Sequence, residues 1–116
     1  MLRIYRDALE AVAELGPYVE VLSRHDPDLM RQLKKARSSM PLNIGEGSNA
    51  RGGRRNVLYS FAEGSANESI AVLETAHACG YIHEVPVPLV EKLRKIVGTL
   101  HKCIHGPSGK RESVSA

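Results

Sequence analysis

Apolar residues in this chain recur at three- and four-residue steps in four separate stretches, and nowhere in strict alternation. A helix buries such a stripe along one face, whereas a strand, whose side chains alternate between faces, does not. Tyr5, Ala8, Leu9, Val12, Leu15, Val19 and Leu22 mark a first helix over Leu2 to Ser23, with a kink or local break expected at Gly16-Pro17. Asp26 followed by Pro27 is a helix start, a capping carboxylate before a residue that needs no hydrogen-bond donor there. Leu29, Leu33, Ala36, Met40 and Ile44 carry the second stripe straight through Pro41, which predicts a helix kinked at that proline. Ser48 to Arg54 is expected to form a loop broken at Gly52-Gly53. The third helix, about Arg55 to Cys79, is expected to turn Leu58, Phe61, Ala62, Ser65, Ser69, Val72, Ala76 and Cys79 inward. Val85-Pro86-Val87-Pro88 forms a stiff connector. Leu89, Leu93, Ile96, Val97, Leu100 and Ile104 complete a fourth helix that stops at Gly106-Pro107.

Short connections favour antiparallel neighbours, so the expected fold is an all-α, up-down-up-down four-helix bundle. The 116 residues suit one domain, residues 1–106, followed by a disordered polar tail over 107–116. Aromatics make up only 4% of the chain, so the core must be aliphatic and rich in alanine. Cys79 and Cys103 both fall on expected core faces and read as small buried hydrophobes in a reducing compartment. The N-terminus lacks the apolar run of a signal peptide, and no stretch is long and apolar enough to span a bilayer. A cytoplasmic location, without membrane contact, is expected.

Charge is distributed unevenly. Residues 31–55 hold seven bases (Arg31, Lys34, Lys35, Arg37, Arg51, Arg54, Arg55) and one acid, Glu46. Residues 56–91 hold five acids and no Lys or Arg. Arg31, Lys34, Lys35, Arg51, Arg54 and Arg55 form a candidate nucleic-acid surface, since phosphate is held by charge and donors without any reading of sequence. The competing explanation is an ordinary solvated face. On the third helix Tyr59, Ala66, Ile70 and His77 lie roughly opposite the expected core face, and Leu42 does the same on the second. These five form a candidate oligomer interface.

Other constellations are weaker. Glu68, at the edge of the expected core face, is expected to find a partner in Arg37 or Asn43. Glu74 and His77 have the E-x-x-H spacing of bundle metal sites, but it occurs once. His101 and His105 flank Cys103 without a third ligand on their face. No metal, cofactor or catalytic residue is therefore expected, and the chain reads as a non-enzyme.

The stretch QLKKARSSMPLNIGEGS (32–48), then RGGRR (51–55), AEGSANESIAVLETA (62–76) and GYI (80–82) resembles the four-helix-bundle proteins encoded in intervening sequences of bacterial 23S rRNA genes. That family is similar in turn to the accessory variability determinant proteins of diversity-generating retroelements. The resemblance implies a second helix kinked at Pro41 and a homo-oligomer, most simply a pentamer. It also implies nucleic acid and a reverse transcriptase as partners, with Lys34-Lys35 at the positions of two usual bases. Arg37 stands where a small apolar residue is usual, and Glu63 where a base is common. No catalytic residue is carried over. Together these readings describe a homo-oligomeric adaptor for nucleic acid or a nucleic-acid enzyme; the alternative is a protein-binding scaffold with no nucleic-acid affinity.

Overall fold

A computed structural model describes residues 3–106. They form four helices: α1 (Arg3–His25), α2 (Pro27–Ser48), α3 (Gly52–Ala78) and α4 (Val87–His105). No strand occurs among the described residues. The expected tail, 107–116, lies outside them. Helix α1 packs on α2 and α4, and α3 packs on α2 and α4, giving a body 45 × 21 × 21 Å. Neighbouring helices meet in opposite chain order. Tyr5 lies beside Gly45 and Val12 beside Arg37; Ser39 meets Ser65 and Ser48 meets Tyr59; Glu63 meets His101 and Glu74 meets Arg94.

The start of α2 follows its chemistry. The Asp26 carboxylate accepts from the Leu29 amide at 3.0 Å, and Pro27 occupies the first turn, where its missing N–H is no loss. The other Asp26 oxygen accepts from the Tyr81 hydroxyl at 3.3 Å, while the His25 ring stacks on Tyr81 at 5.3 Å. The junction between α1 and α2 is thus fastened to the segment that joins α3 to α4. Partial burial of the phenol and then the nearby Asp26 carboxylate raise the Tyr81 pKa, so it stays protonated and donates.

Pro17 does not end α1, so of the kink or local break expected there the break does not occur. Leu15 and Leu22 stay buried on one face across it, and that packing outweighs the lost backbone bond. Nearby, Arg37 Nε donates to the Val12 carbonyl at 2.7 Å, and Gly16 leaves room for the guanidinium, since a Cβ there would lie 3.3 Å from Arg37 Nη2. Arg37 of α2 thus braces α1. Pro41 is buried inside a continuous α2.

Helix α3 departs most from expectation. Its buried residues are Leu58, Tyr59, Ala62, Ser65, Ala66, Ser69, Ile70, Val72, Leu73 and Ala76. At 100° per residue they cover an arc of about 160°. The reason is that α3 packs on two helices, α2 and α4, so its inner face is broad. Phe61 lies just outside that arc and is 56% exposed. Cys79 lies past the helix end and is exposed, while Cys103 is buried as expected. Glu68 is also exposed rather than paired in the core. Its two expected partners are engaged elsewhere, Arg37 with Val12 and Asn43 with Ser39.

Candidate nucleic-acid interface

The six bases singled out in the sequence fall into two groups. Arg31, Lys34 and Lys35 are exposed on the half of α2 nearer its start. Arg51, Arg54 and Arg55 sit where α3 begins, beyond the other end of α2. From Lys35 to Ser48 the helix rises about 20 Å, at about 1.5 Å per residue. Sequence proximity within 31–55 therefore does not become one patch. The length of α2 separates a lateral group from a terminal one.

The expected loop is also shorter. Gly52 and Gly53 are the first residues of α3, not a break before it. Gly52 has φ +57°, a conformation that glycine adopts without strain, and this lets the chain turn abruptly from Arg51 into the helix. No side chain caps the helix at Arg51, and its first turn contains no acid. Arg54 is exposed. Arg55 is half-buried, with its guanidinium 5.2 Å from the Tyr59 ring centre in a cation–π contact. Its Nε is buried and has no hydrogen-bond partner among the described residues. Burial raises the pKa of the neighbouring Cys103 thiol, and the charge of Arg55 only partly opposes this. The thiol is therefore neutral and supplies no anion for the arginine.

Ion pairing separates the bases further. Arg31 pairs with Asp28, Arg24 with Glu20, Arg94 with Glu74, and Lys92 with both Glu10 and Glu14. Hydrogen bonds to Glu14 and then Glu10 raise the Lys92 pKa, so it is firmly charged. Glu63 contacts His101 Nδ1 at 3.4 Å. Lys34, Lys35, Arg51, Arg54 and Arg55 have no acidic partner among the described residues. Of the six expected bases, Arg31 is the one already neutralised.

The expected oligomer surface requires correction. Tyr59, Ala66 and Ile70 belong to the chain's own core, on the broad inner arc of α3, with Tyr59 lying against Gly47 and Ser48 of α2. Leu42 (66% exposed) and His77 remain outside. The apolar residues that α3 does expose are Val57 and Phe61, one turn apart. The pairings Ser39–Ser65 and Ser48–Tyr59 place Leu42 at about their height on the adjoining helix.

His101 and His105 lie with ring centres 4.5 Å apart, yet among the described residues no three His, Cys, Asp or Glu side chains converge to hold a metal ion. No described helix is long and apolar enough to cross a membrane. The family model described as 23S rRNA-intervening sequence protein matches residues 1–105. No curated protein and no solved structure matches the chain.

Proposed function

The chain belongs to the 23S rRNA-intervening sequence protein family, and from that premise we propose that it is a non-enzymatic, homo-oligomeric adaptor that binds nucleic acid. The observation that carries this reading is the set of bases in the basic segment left without acids, Lys34, Lys35, Arg51, Arg54 and Arg55, whereas Arg24, Arg31, Arg94 and Lys92 are each paired. Unpaired, solvated bases exchange condensed counterions of a phosphate backbone for themselves, and this release drives binding. The resemblance to retroelement accessory proteins names a reverse transcriptase as the enzyme such an adaptor would serve. The same reading takes the bundle as antiparallel and up-down-up-down, which the opposite-order helix pairings support. It bends α2 at Pro41, where the ring crowds the carbonyl one turn back. It places the protein in the cytoplasm, where the exposed Cys79 thiol stays reduced.

The test is a gel-shift series with duplex DNA, single-stranded DNA and structured RNA. Wild-type affinity is expected to fall on the order of 10²–10³-fold between 50 and 200 mM salt, in proportion to about five phosphate contacts. Changing Lys34, Lys35, Arg51 and Arg54 together to Glu should abolish binding with the helical circular dichroism unchanged. Equal retention of wild type and variant would refute the reading. No retention of any nucleic acid by wild type would favour the protein-binding scaffold.

Self-association is expected to use Leu42, Val57 and Phe61, three of the five large apolar residues that the bundle leaves exposed among the described residues and the three that lie on the adjoining helices α2 and α3. Five subunits is the number implied by the resemblance. Light scattering should give a mass several times that of one 12.7 kDa chain. Phe61→Asp should reduce it to that of one chain. A wild-type mass of one chain at micromolar concentration would end the oligomer proposal.

A further inference from the structure

Charges at helix ends ordinarily complement the helix dipole, with acids in the first turn and bases in the last. This chain inverts that preference twice at the same end of the bundle. The first turn of α1 carries Arg3 and Arg6 and no acid, and neither is paired with Asp7 or Glu10 one turn on. The first turn of α3 carries Arg54 and Arg55, again without an acid, behind Arg51. The two starts are neighbours through the close of α2, since Gly45 lies against Tyr5 and Gly47 against Tyr59. The last turn of α4 adds Lys102 at that end, where Cys103 feels the charge of Arg55. Arg3, Arg6, Arg51, Arg54, Arg55 and Lys102 all lack an acidic partner among the described residues. The opposite end differs. There Asp28 occupies the first turn of α2 and neutralises Arg31, and Arg24 pairs with Glu20.

We propose that this end of the bundle, not the lateral face of α2, is the surface that docks on the phosphate backbone of a nucleic acid. Bases at the starts of two helices weaken those helices, so their arrangement has no explanation in the stability of the fold. At the starts of α1 and α3 a bound polyanion reverses the sign of the effect, because it meets bases and positive dipole ends together; the closing turns of α2 and α4 beside them add negative ends and Glu46, so the bases supply the net attraction. The scale also fits. A strand places a phosphate about every 3.4 Å of duplex axis, so an end 21 Å across faces about six. Three of the six bases, Arg3, Arg6 and Lys102, come from parts of the chain outside the basic segment and bring it to three helices.

The inference rests on the nucleic-acid reading, and the experiment separates the two. Arg3→Glu, Arg6→Glu and Arg54→Glu are combined in one variant; Lys34→Glu and Lys35→Glu form a second. Duplex DNA and structured RNA are titrated against both and against wild type across a salt series, and urea unfolding is followed in parallel. The end variant is expected to lose at least tenfold in affinity, with the slope of log affinity against log salt shallower by about 3. Its urea midpoint is expected to rise, because acids now occupy the first turns. The lateral variant is expected to lose less affinity than the end variant, with a slope shallower by less than about 2. Loss of binding confined to the lateral variant would overturn the end-on site while leaving the nucleic-acid reading intact. Failure of wild type to bind either probe would overturn both. A lowered urea midpoint in the end variant would remove the argument that these bases oppose the fold.

Discussion

Replacing Ile70 by Asp is expected to unfold the chain. Ile70 is 6% exposed and packed within the single core cluster, so the substitution both removes a buried aliphatic side chain and leaves a carboxylate there without a partner. An uncompensated buried charge costs about 3–5 kcal/mol, a large fraction of the roughly 5–15 kcal/mol that holds a domain of this size together. Ile70→Val should cost only about 0.5–1.5 kcal/mol. Phe61→Asp, on the exposed side of the same helix, should leave the unfolding curve of the separated chain nearly where it was. Urea titration followed by far-ultraviolet circular dichroism distinguishes the three. An Ile70→Asp protein with full helicity and merely a smaller mass would show that the outer stripe read from the sequence was correct after all, and that α3 turns differently.

The second large effect is expected at Gly47. A Cβ added there would stand 2.5 Å from Tyr59 Cε1 and 2.6 Å from Cδ1, with the Leu58 Cβ at 3.4 Å. The ring has little room to retreat. Tyr59 is fully buried, its hydroxyl lies 3.3 Å from Ser48 Oγ, and the Arg55 guanidinium faces the ring. Overpacking of this kind costs about 1–3 kcal/mol, against which alanine gains roughly 1 kcal/mol of helix propensity over glycine. Gly47→Ala should therefore destabilise by up to about 2 kcal/mol, and Gly47→Val by more. Gly98 is the control. It lies in α4 with nothing near the position of a Cβ, and Gly98→Ala should raise stability by about 0.5–1 kcal/mol. A neutral Gly47→Val would mean that Tyr59 is not held against α2.

Three helices were legible in the sequence because each presents a narrow apolar stripe. Leu15 and Leu22, Leu33 and Ile44, Leu93 and Leu100 are all buried as their spacing required. The cap at Asp26 and the persistence of α2 through Pro41 were legible for the same reason: local chemistry and periodicity agreed. Helix α3 was not, because a helix flanked by two partners buries nearly half its circumference, and no narrow stripe exists to be found. Tyr59, Ala66 and Ile70 were accordingly assigned to the wrong side. The bases were legible as individual residues. Their division by the length of α2 was not, nor was the approach of Arg3, Arg6 and Lys102 to Arg51 and Arg54, since only the packed bundle joins positions so distant along the chain.

The fastening at Tyr81 has a consequence for how copies of this chain can combine. Tyr81 and Asp26 are 55 positions apart, and their contact closes the α2–α3 pair into a loop with its two ends tied. A helical pair released at one junction could swing out and complete the bundle of a neighbouring copy, the usual route to domain exchange. Here release at either junction breaks the Tyr81 hydrogen bond and the His25 stack together. The fastening favours a chain that keeps its own four helices, so the homo-oligomer proposed above would be composed of closed bundles laid side by side rather than of exchanged segments.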